Sequence, residues 1–289
     1  MDSLQRLIEP FESISPERAS SVLLEDFAVN VLALERLDSE RDDSFHVTAT
    51  TGHFVLKVAH PDDDPAVIDL QLAAMAHVAS ADPGVPIQHV VLSVRGEQTV
   101  MIDGRAGRLL TWLPGDLARA HQPTSAERQA MGAMLGRLNL ALASFEHPAS
   151  RRELAWDALQ LPAIEHFATD RGDLELIAKF ASTMAPALGR IPRQVIHNDF
   201  HPGNLLVDPE DPVYVVGILD FGDVVYSARV CDLAVALAYL RPNERQSFVD
   251  GFASMVSVDG DEYELLDDLV EARQILRTVI GAHLDRKGA

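Results

Sequence analysis

The sequence predicts an α+β fold of two lobes, strand-rich over residues 1–113 and mainly helical over 114–289. Three observations predict it. Short β-branched and aromatic runs separated by turn residues crowd the first 115 positions. Pro114-Gly115 then closes the last of these runs, and apolar residues at helical spacing take over. Two short strand-like runs interrupt the helical half, and a loop dense in His, Asp and Asn follows the first of them.

The elements can be justified in order. Ser15-Pro16 gives a capping hydroxyl followed by proline at the first helical position, so a helix is expected to run to about Phe27. Strands follow over 29–37 and 45–50, joined by a polar loop over 38–44. Thr51-Gly52 turns the chain into a third strand, Phe54-Val55-Leu56-Lys57-Val58. The run PDDDP breaks this pattern, and a helix is expected over 66–78. Strands over 89–94 and 99–102 flank the turn at Arg95-Gly96, and 108–113 is a further apolar strand. Beyond it, Met131, Met134, Leu135, Leu138 and Leu142 lie on one face of a helix over 125–145. Segments 160–168 and 173–188 read the same way. Strands over 194–197 and 213–219 come next, and helices resume from about Ser227.

Composition excludes several classes of function. Asp and Glu number 44 against 24 Lys and Arg, a formal charge of −20 that repels a nucleic-acid backbone. The single cysteine, Cys231, can form no intramolecular disulfide and no Cys-rich zinc site. At 289 residues the chain can bury roughly three quarters of its unfolded surface and needs neither. No run approaches the roughly 18 apolar residues of a membrane span. The charged N-terminal stretch does not read as a signal peptide. The expected setting is the cytoplasm, with no nucleic-acid or membrane partner; the oligomeric state is open.

The chemistry concentrates in Val195-Ile196-His197-Asn198-Asp199-Phe200-His201-Pro202-Gly203-Asn204, a loop between a strand and another apolar run. Sixteen residues past Asn204 comes Asp220, within Leu219-Asp220-Phe221-Gly222-Asp223. An Asp, an Asn five residues on and a downstream Asp-Phe-Gly form a phosphoryl-transfer set. The first Asp (Asp199) meets the attacking hydroxyl, while Asn204 and Asp220 offer hard oxygen ligands to Mg²⁺ on the nucleotide phosphates. Two other readings stand beside this one. His197, Asp199 and His201 alternate as in a metal site, which would make the protein a hydrolase. An isolated DFG is also an ordinary strand end. Lys57 lies inside an apolar strand, where a buried lysine needs an anion; an exposed edge-strand lysine is the alternative. Asp69, within Val67-Ile68-Asp69-Leu70-Gln71-Leu72, is its expected partner.

The set HNDFHPGN, LDFGD and Asp232-Leu233-Ala234, preceded by FVLKV and RLLTWLPG, resembles the aminoglycoside phosphotransferase and choline kinase superfamily, and within it the hydroxylysine kinase type. The likeness covers about residues 20–285. It implies a protein-kinase-like fold that uses ATP or GTP with Mg²⁺ to phosphorylate a small-molecule alcohol. It further implies Asp199 as catalytic base, Asn204 and Asp220 as metal ligands, and Lys57 as phosphate clamp. The connector, with Leu110 and Trp112, would hold the adenine, and Asp232 would brace the catalytic loop.

Departures from that pattern matter. The loop Asp38-Ser39-Glu40-Arg41-Asp42-Asp43-Ser44 contains no glycine, so phosphate donors are sought in Ser39, Arg41 and Ser44. Asp69 stands where a longer Glu is usual, and Asn139 where many relatives carry a histidine. No A-P-E and no long activation segment follow Asp220-Phe221-Gly222, so a peptide platform is missing. A small acceptor pocket is expected instead, with Trp156, Asp157, His201, Asp223, Tyr226 and Arg229 as candidates. Trp156 and Tyr226 could equally be core aromatics, and Arg229 could meet a substrate carboxylate or form a structural ion pair. The favoured expectation is a small-molecule kinase acting on an amino alcohol or hydroxy amino acid. The rival is a kinase fold whose catalysis has lapsed.

Overall fold

The computed structural model describes residues 11–39 and 42–287. Helix α1 (Pro16–Phe27) starts as expected: the Ser15 side chain accepts the Arg18 N–H, and Pro16 fills the first turn. Strands β1 (Val31–Leu37), β2 (Asp43–Ala49) and β3 (Gly52–Val58) form an antiparallel meander. Helix α2 (Pro65–Ala81) then precedes β4 (Val90–Val91), β5 (Val100–Ile102) and β6 (Arg105–Thr111). The sheet runs β1-β2-β3-β6-β4, with β5 also on β6.

Alternation assigns the two faces of this sheet. Phe45, Val47, Leu56, Val58 and Leu109 point toward α1 and bury Ala19, Val22, Leu23 and Phe27. Full burial of each such side chain stabilises by about 1.5–3 kcal/mol. On the other face the register places Ser44 beside Lys57 and Lys57 beside Arg108, and in the next row His46 beside Val55 and Val55 beside Leu110. That second face turns to α2 and to the core of the remaining chain, where Val55 and Leu110 pack.

After the connector, β7 (Asp116–Leu117), β9 (Leu205–Val207) and β10 (Val215–Ile218) make a three-stranded sheet. Strands β8 (Arg193–Ile196) and β11 (Val225–Ala228) make a two-stranded one. Around them lie α3 (Ser125–Leu142), α4 (Arg171–Ala187), α5 (Val230–Leu237), α6 (Arg245–Ala253) and α7 (Gly260–Lys287). Thr124 and Glu127 form a reciprocal capping box that starts α3. Asp259 and Glu262 do the same for α7, Glu262 N–H to Asp259 at 2.8 Å and Asp259 N–H to Glu262 at 3.1 Å. At 28 residues, α7 is about 42 Å long. No helix among the described residues is long and apolar enough to cross a membrane.

Three expectations are corrected. Asp43 and Ser44 belong to β2 and not to the preceding loop. Asp43 is buried and bonded to Arg36, to Arg105 at 2.8 Å and to the Ile14 N–H at 3.1 Å, which pulls the strand start forward. The 160–168 segment is a 3-10 stretch, Ala158–Phe167, because Pro162 inside it cannot donate the bond an α-helix requires. Helix does not resume at Ser227: Val225–Ala228 pairs with β8, and α5 begins at Val230.

Candidate active site

The loop from His197 to Asn204 leaves β8 and is fixed by a buried carboxylate on α5. Asp232, 0% exposed, accepts the backbone N–H of His197 (3.1 Å) and of Asn198 (2.6 Å), and the side-chain amide of Asn139 on α3 (2.8 Å). Asn139 thus completes the brace at the position where the sequence departs from its resemblance. Burial drives the Asp232 carboxyl upward, and these donors oppose it. Asn198 then takes a left-handed φ of 64°, which swings the chain back toward β9. His197 Nδ1 accepts the Asp199 N–H (3.2 Å), so Nε2 carries the proton and donates it to the Leu219 carbonyl (3.1 Å). Both imidazole nitrogens are engaged, so neither is free to take a metal, and the His197/His201 hydrolase loses its ligand pair.

Asp199 is held from two sides. Its Oδ1 accepts Arg273 Nη2 (3.0 Å), and its Oδ2 accepts Asn204 Nδ2 (2.7 Å), with His201 Nε2 at 3.5 Å. The Asn204 carbonyl accepts the Leu219 N–H (2.8 Å), bringing the loop against the residue before Asp220. Asp220 has φ 58° and accepts the Gly222 N–H (3.0 Å). A Cβ on Gly222 would lie 2.8 Å from the Asp220 Oδ1, so any larger residue here would push that carboxylate aside. Arg152 fastens the turn by donating to the Gly222 (2.6 Å) and Val224 (3.0 Å) carbonyls.

The donor set fits a hard divalent cation. Donation by Asn204 Nδ2 fixes the amide so that its Oδ1 is left as an oxygen donor, and the Asp220 carboxylate is exposed. No group of three His, Cys, Asp or Glu among the described residues could cage a metal by itself. Mg²⁺ is ordinarily held by one or two protein oxygens together with substrate phosphates and water, so the two residues suffice.

Two carboxylates and a tyrosine hydroxyl share this space and are shifted in different directions or by different causes. Burial raises the Asp199 carboxyl, but His201 and the Arg273 guanidinium outweigh it and hold Asp199 below the usual carboxylate range. Burial and the negative charge of Asp199 push Asp223 up to about 7, against Arg273 and Arg152. The Tyr239 hydroxyl is raised by burial and by Asp199.

On the N-terminal sheet, Lys57 meets Asp42 (3.4 Å), and Arg108 meets the same carboxylate (2.8 Å) and Gln71 of α2 (3.2 Å). The expected Lys57–Asp69 pair is not formed. Asp69 is 68% exposed and bonds His147 (3.0 Å), because α2 turns Ile68, Gln71, Leu72 and Met75 inward and Asp69 away. Ser44, 4% exposed within β2, is not a loop donor, and its Oγ has no partner in the sheet. The Ser39 hydroxyl accepts the Asp42 N–H at 3.4 Å, and Arg41 lies outside the described residues. Trp112 stacks on His46 at 3.9 Å, with His53 bonded to His46 (3.1 Å), while Leu110 is buried beside Val55.

The acceptor candidates divide. His201, stacked on Tyr239 at 4.3 Å, and Asp223 lie with Asp199. The Trp156 carbonyl accepts from Arg273, whose guanidinium lies 5.3 Å from the indole centroid. Asp157 is structural: 4% exposed, it caps the 3-10 stretch through the Leu159 N–H and accepts the Ser227 hydroxyl (2.9 Å). Arg229 donates through Nε and Nη2 to Glu262 at the start of α7 and to the Ser257 carbonyl, the structural ion pair that the sequence allowed. Tyr226 stands on β11 opposite Val195 with Arg151 over its ring (3.9 Å). Sequence reading missed Asp42, Arg108, Arg152, Tyr239 and Arg273; all owe their place to partners distant in the chain.

A family model described as a phosphotransferase enzyme family matches residues 33–267. Hydroxylysine kinase of Mus musculus is 26% identical over 314 residues, spanning 92% of this chain and 82% of its own. Homoserine kinase of Methylobacillus flagellatus is 25% identical over 232 residues, spanning 76% and 69%. Among solved structures, amicoumacin kinase hAmiN in complex with AMP-PNP, Ca²⁺ and Ami aligns with a TM-score of 0.73 at 16% identity, covering 95% of this chain and 92% of that one. At such identity this last likeness is one of fold.

Proposed function

We propose, for a chain that belongs to the phosphotransferase enzyme family, transfer of the γ-phosphoryl group of ATP to the hydroxyl of a small acceptor that also carries an amine. Its class is that of a small-molecule kinase with a hydroxyl acceptor. One observation carries the reading of the site: Asp199, Asn204 and the Leu219-Asp220 turn are joined by direct hydrogen bonds, so a base and two oxygen ligands converge. The two relatives are named for hydroxylysine and homoserine, acceptors that join a hydroxyl to an amine, which supports the acceptor class.

In this reading residues 1–113 serve the nucleotide and 114–289 serve catalysis and the acceptor. Leu110 and Trp112 flank the base, Lys57 meets the phosphates, and Ser39 approaches them from the loop. Asn204 Oδ1 and Asp220 hold Mg²⁺, which supplies neutralisation of charge on the transferring group. Asp199 orients the acceptor hydroxyl and takes its proton as the oxygen–phosphorus bond forms and the bond from the γ-phosphorus to the bridging oxygen breaks. The electron pair leaves on ADP. Asp223 faces the acceptor's ammonium group and holds it by charge.

The test is nucleotide consumption coupled to a screen of hydroxy amino acids, amino alcohols and amine-free analogues, run with ATP and GTP and with Mg²⁺ varied. Turnover is expected with an amine-bearing acceptor and ATP. In Asp199→Asn it should fall by roughly 10²- to 10⁴-fold with nucleotide affinity retained. Nucleotide binding with no acceptor turned over, or a variant at near-normal kcat, overturns the reading.

A further inference from the structure

We propose that Arg273, in the middle of α7, is a positioning residue for Asp199, fixing the carboxylate that meets the acceptor. The proposal rests on Asp199 acting as described above. A carboxylate pinned at one oxygen can still swing about its last torsion. Asn204 and His201 both lie at Oδ2, and the Arg273 guanidinium, 3.0 Å from Oδ1, is the contact that closes the second side. The arginine is itself immobilised. It is 2% exposed, its Nη1 donates to the Trp156 carbonyl, and its plane lies near the indole of that residue. The same guanidinium therefore ties the catalytic carboxylate to the segment that carries the Trp156 acceptor candidate.

A purely structural role does not account for this residue. Arg273 Nε is buried with no hydrogen-bond partner. An orphan donor is unfavourable, and an apolar side chain would fill a helix–helix gap without it. What an apolar residue cannot do is hold Asp199 from the side opposite Asn204. Nor can lysine reproduce it, because a single ammonium lacks the planar fork that spans the Trp156 carbonyl and Asp199 together.

The test is a double-mutant cycle of Arg273→Gln and Asp199→Asn, with kcat, both KM values and the thermal midpoint measured for each. Arg273→Gln alone should lower kcat by about 10²-fold, the scale of a small misplacement at a reacting centre, with the nucleotide KM unchanged. In the Asp199→Asn background the same change should cost less than about twofold, because the group it positions is already gone. Arg273→Lys should recover part of kcat. Should Arg273→Gln fail to fold, the cycle is run with Arg273→Lys. Losses that multiply in the double variant, or a loss that appears in the nucleotide KM, overturn the proposal. Full activity of Asp199→Asn alone would instead sink the assignment of the base and is read separately.

Discussion

Asp232 and Asp42 are both carboxylates that hold candidate site residues in place, and they do so under opposite conditions. Asp232 is wholly buried, takes two backbone N–H groups and one amide, and touches no group that must later meet a substrate. Asp42 sits at the end of a loop and is shared by Arg108 and by Lys57, whose proposed partner is a nucleotide phosphate. The loop from His197 to Asn204 is therefore preorganised in the free protein, while under the proposed roles the Lys57 end would exchange one anion for another on binding. Arg108, the closer partner, would keep Asp42 when Lys57 lets go.

The sharpest way to break this contrast is Asp232→Ala. It strands three buried donors at once, for a loss of about 3 kcal/mol in unfolding free energy, together with most of kcat. Chemical denaturation and turnover check it; a variant with unchanged stability and rate would mean that the loop keeps its shape without the brace.

An intermediate effect is expected at Asp223. Its carboxyl rises from the ordinary 3.8 to about 7 in the folded protein, so the native state binds a proton more tightly than the unfolded chain. That contribution to stability is full below the ordinary value and is lost as pH climbs through about 7. In nucleotide-free protein, Asp223→Asn should therefore gain thermal midpoint over the parent progressively from about pH 4 to 7 and level off above. A gain independent of pH would show that Asp223 does not titrate there.

The smallest effect belongs to the exchangeable end. Asp42→Asn frees Lys57 of a competing anion and should tighten nucleotide binding by about two- to fivefold, the scale of one partly exposed ion pair. Titration calorimetry with nucleotide checks it, and weaker binding would mean that Asp42 orients Lys57 and does not compete for it.

The spacing of Asp199, Asn204 and Asp220 was legible because one loop and one turn carry the whole set. The α1–β3 order was legible for the same reason, its caps and turns being local. What escaped reading depends on contacts between distant segments. Asp69 stood among apolar neighbours and invited a buried pair, yet the helical rotation of α2 exposes it. Arg273 is the reverse case: it follows Glu271-Ala272 and precedes Gln274, a polar neighbourhood, yet the charge is buried. The chain neighbours of a charge in a helix are thus a poor guide to its burial until the partner face is known. The Asp157 cap at Leu159 and the choice of an ion pair with Glu262 for Arg229 involve segments whose docking no pattern in the sequence specifies.

The arrival of Arg273 from α7, 74 residues after Asp199, also orders events during biosynthesis. At about 5–20 residues per second, roughly 4 to 15 seconds separate synthesis of the carboxylate from synthesis of the cation that faces it. Once Asp223 has been added, the nascent chain carries both the HNDFHPGN loop and the LDFGD turn, while Arg273 is still to come. If Arg273 positions Asp199 as proposed, the last long helix is a late-fitted part, and full phosphoryl transfer would wait until it has docked.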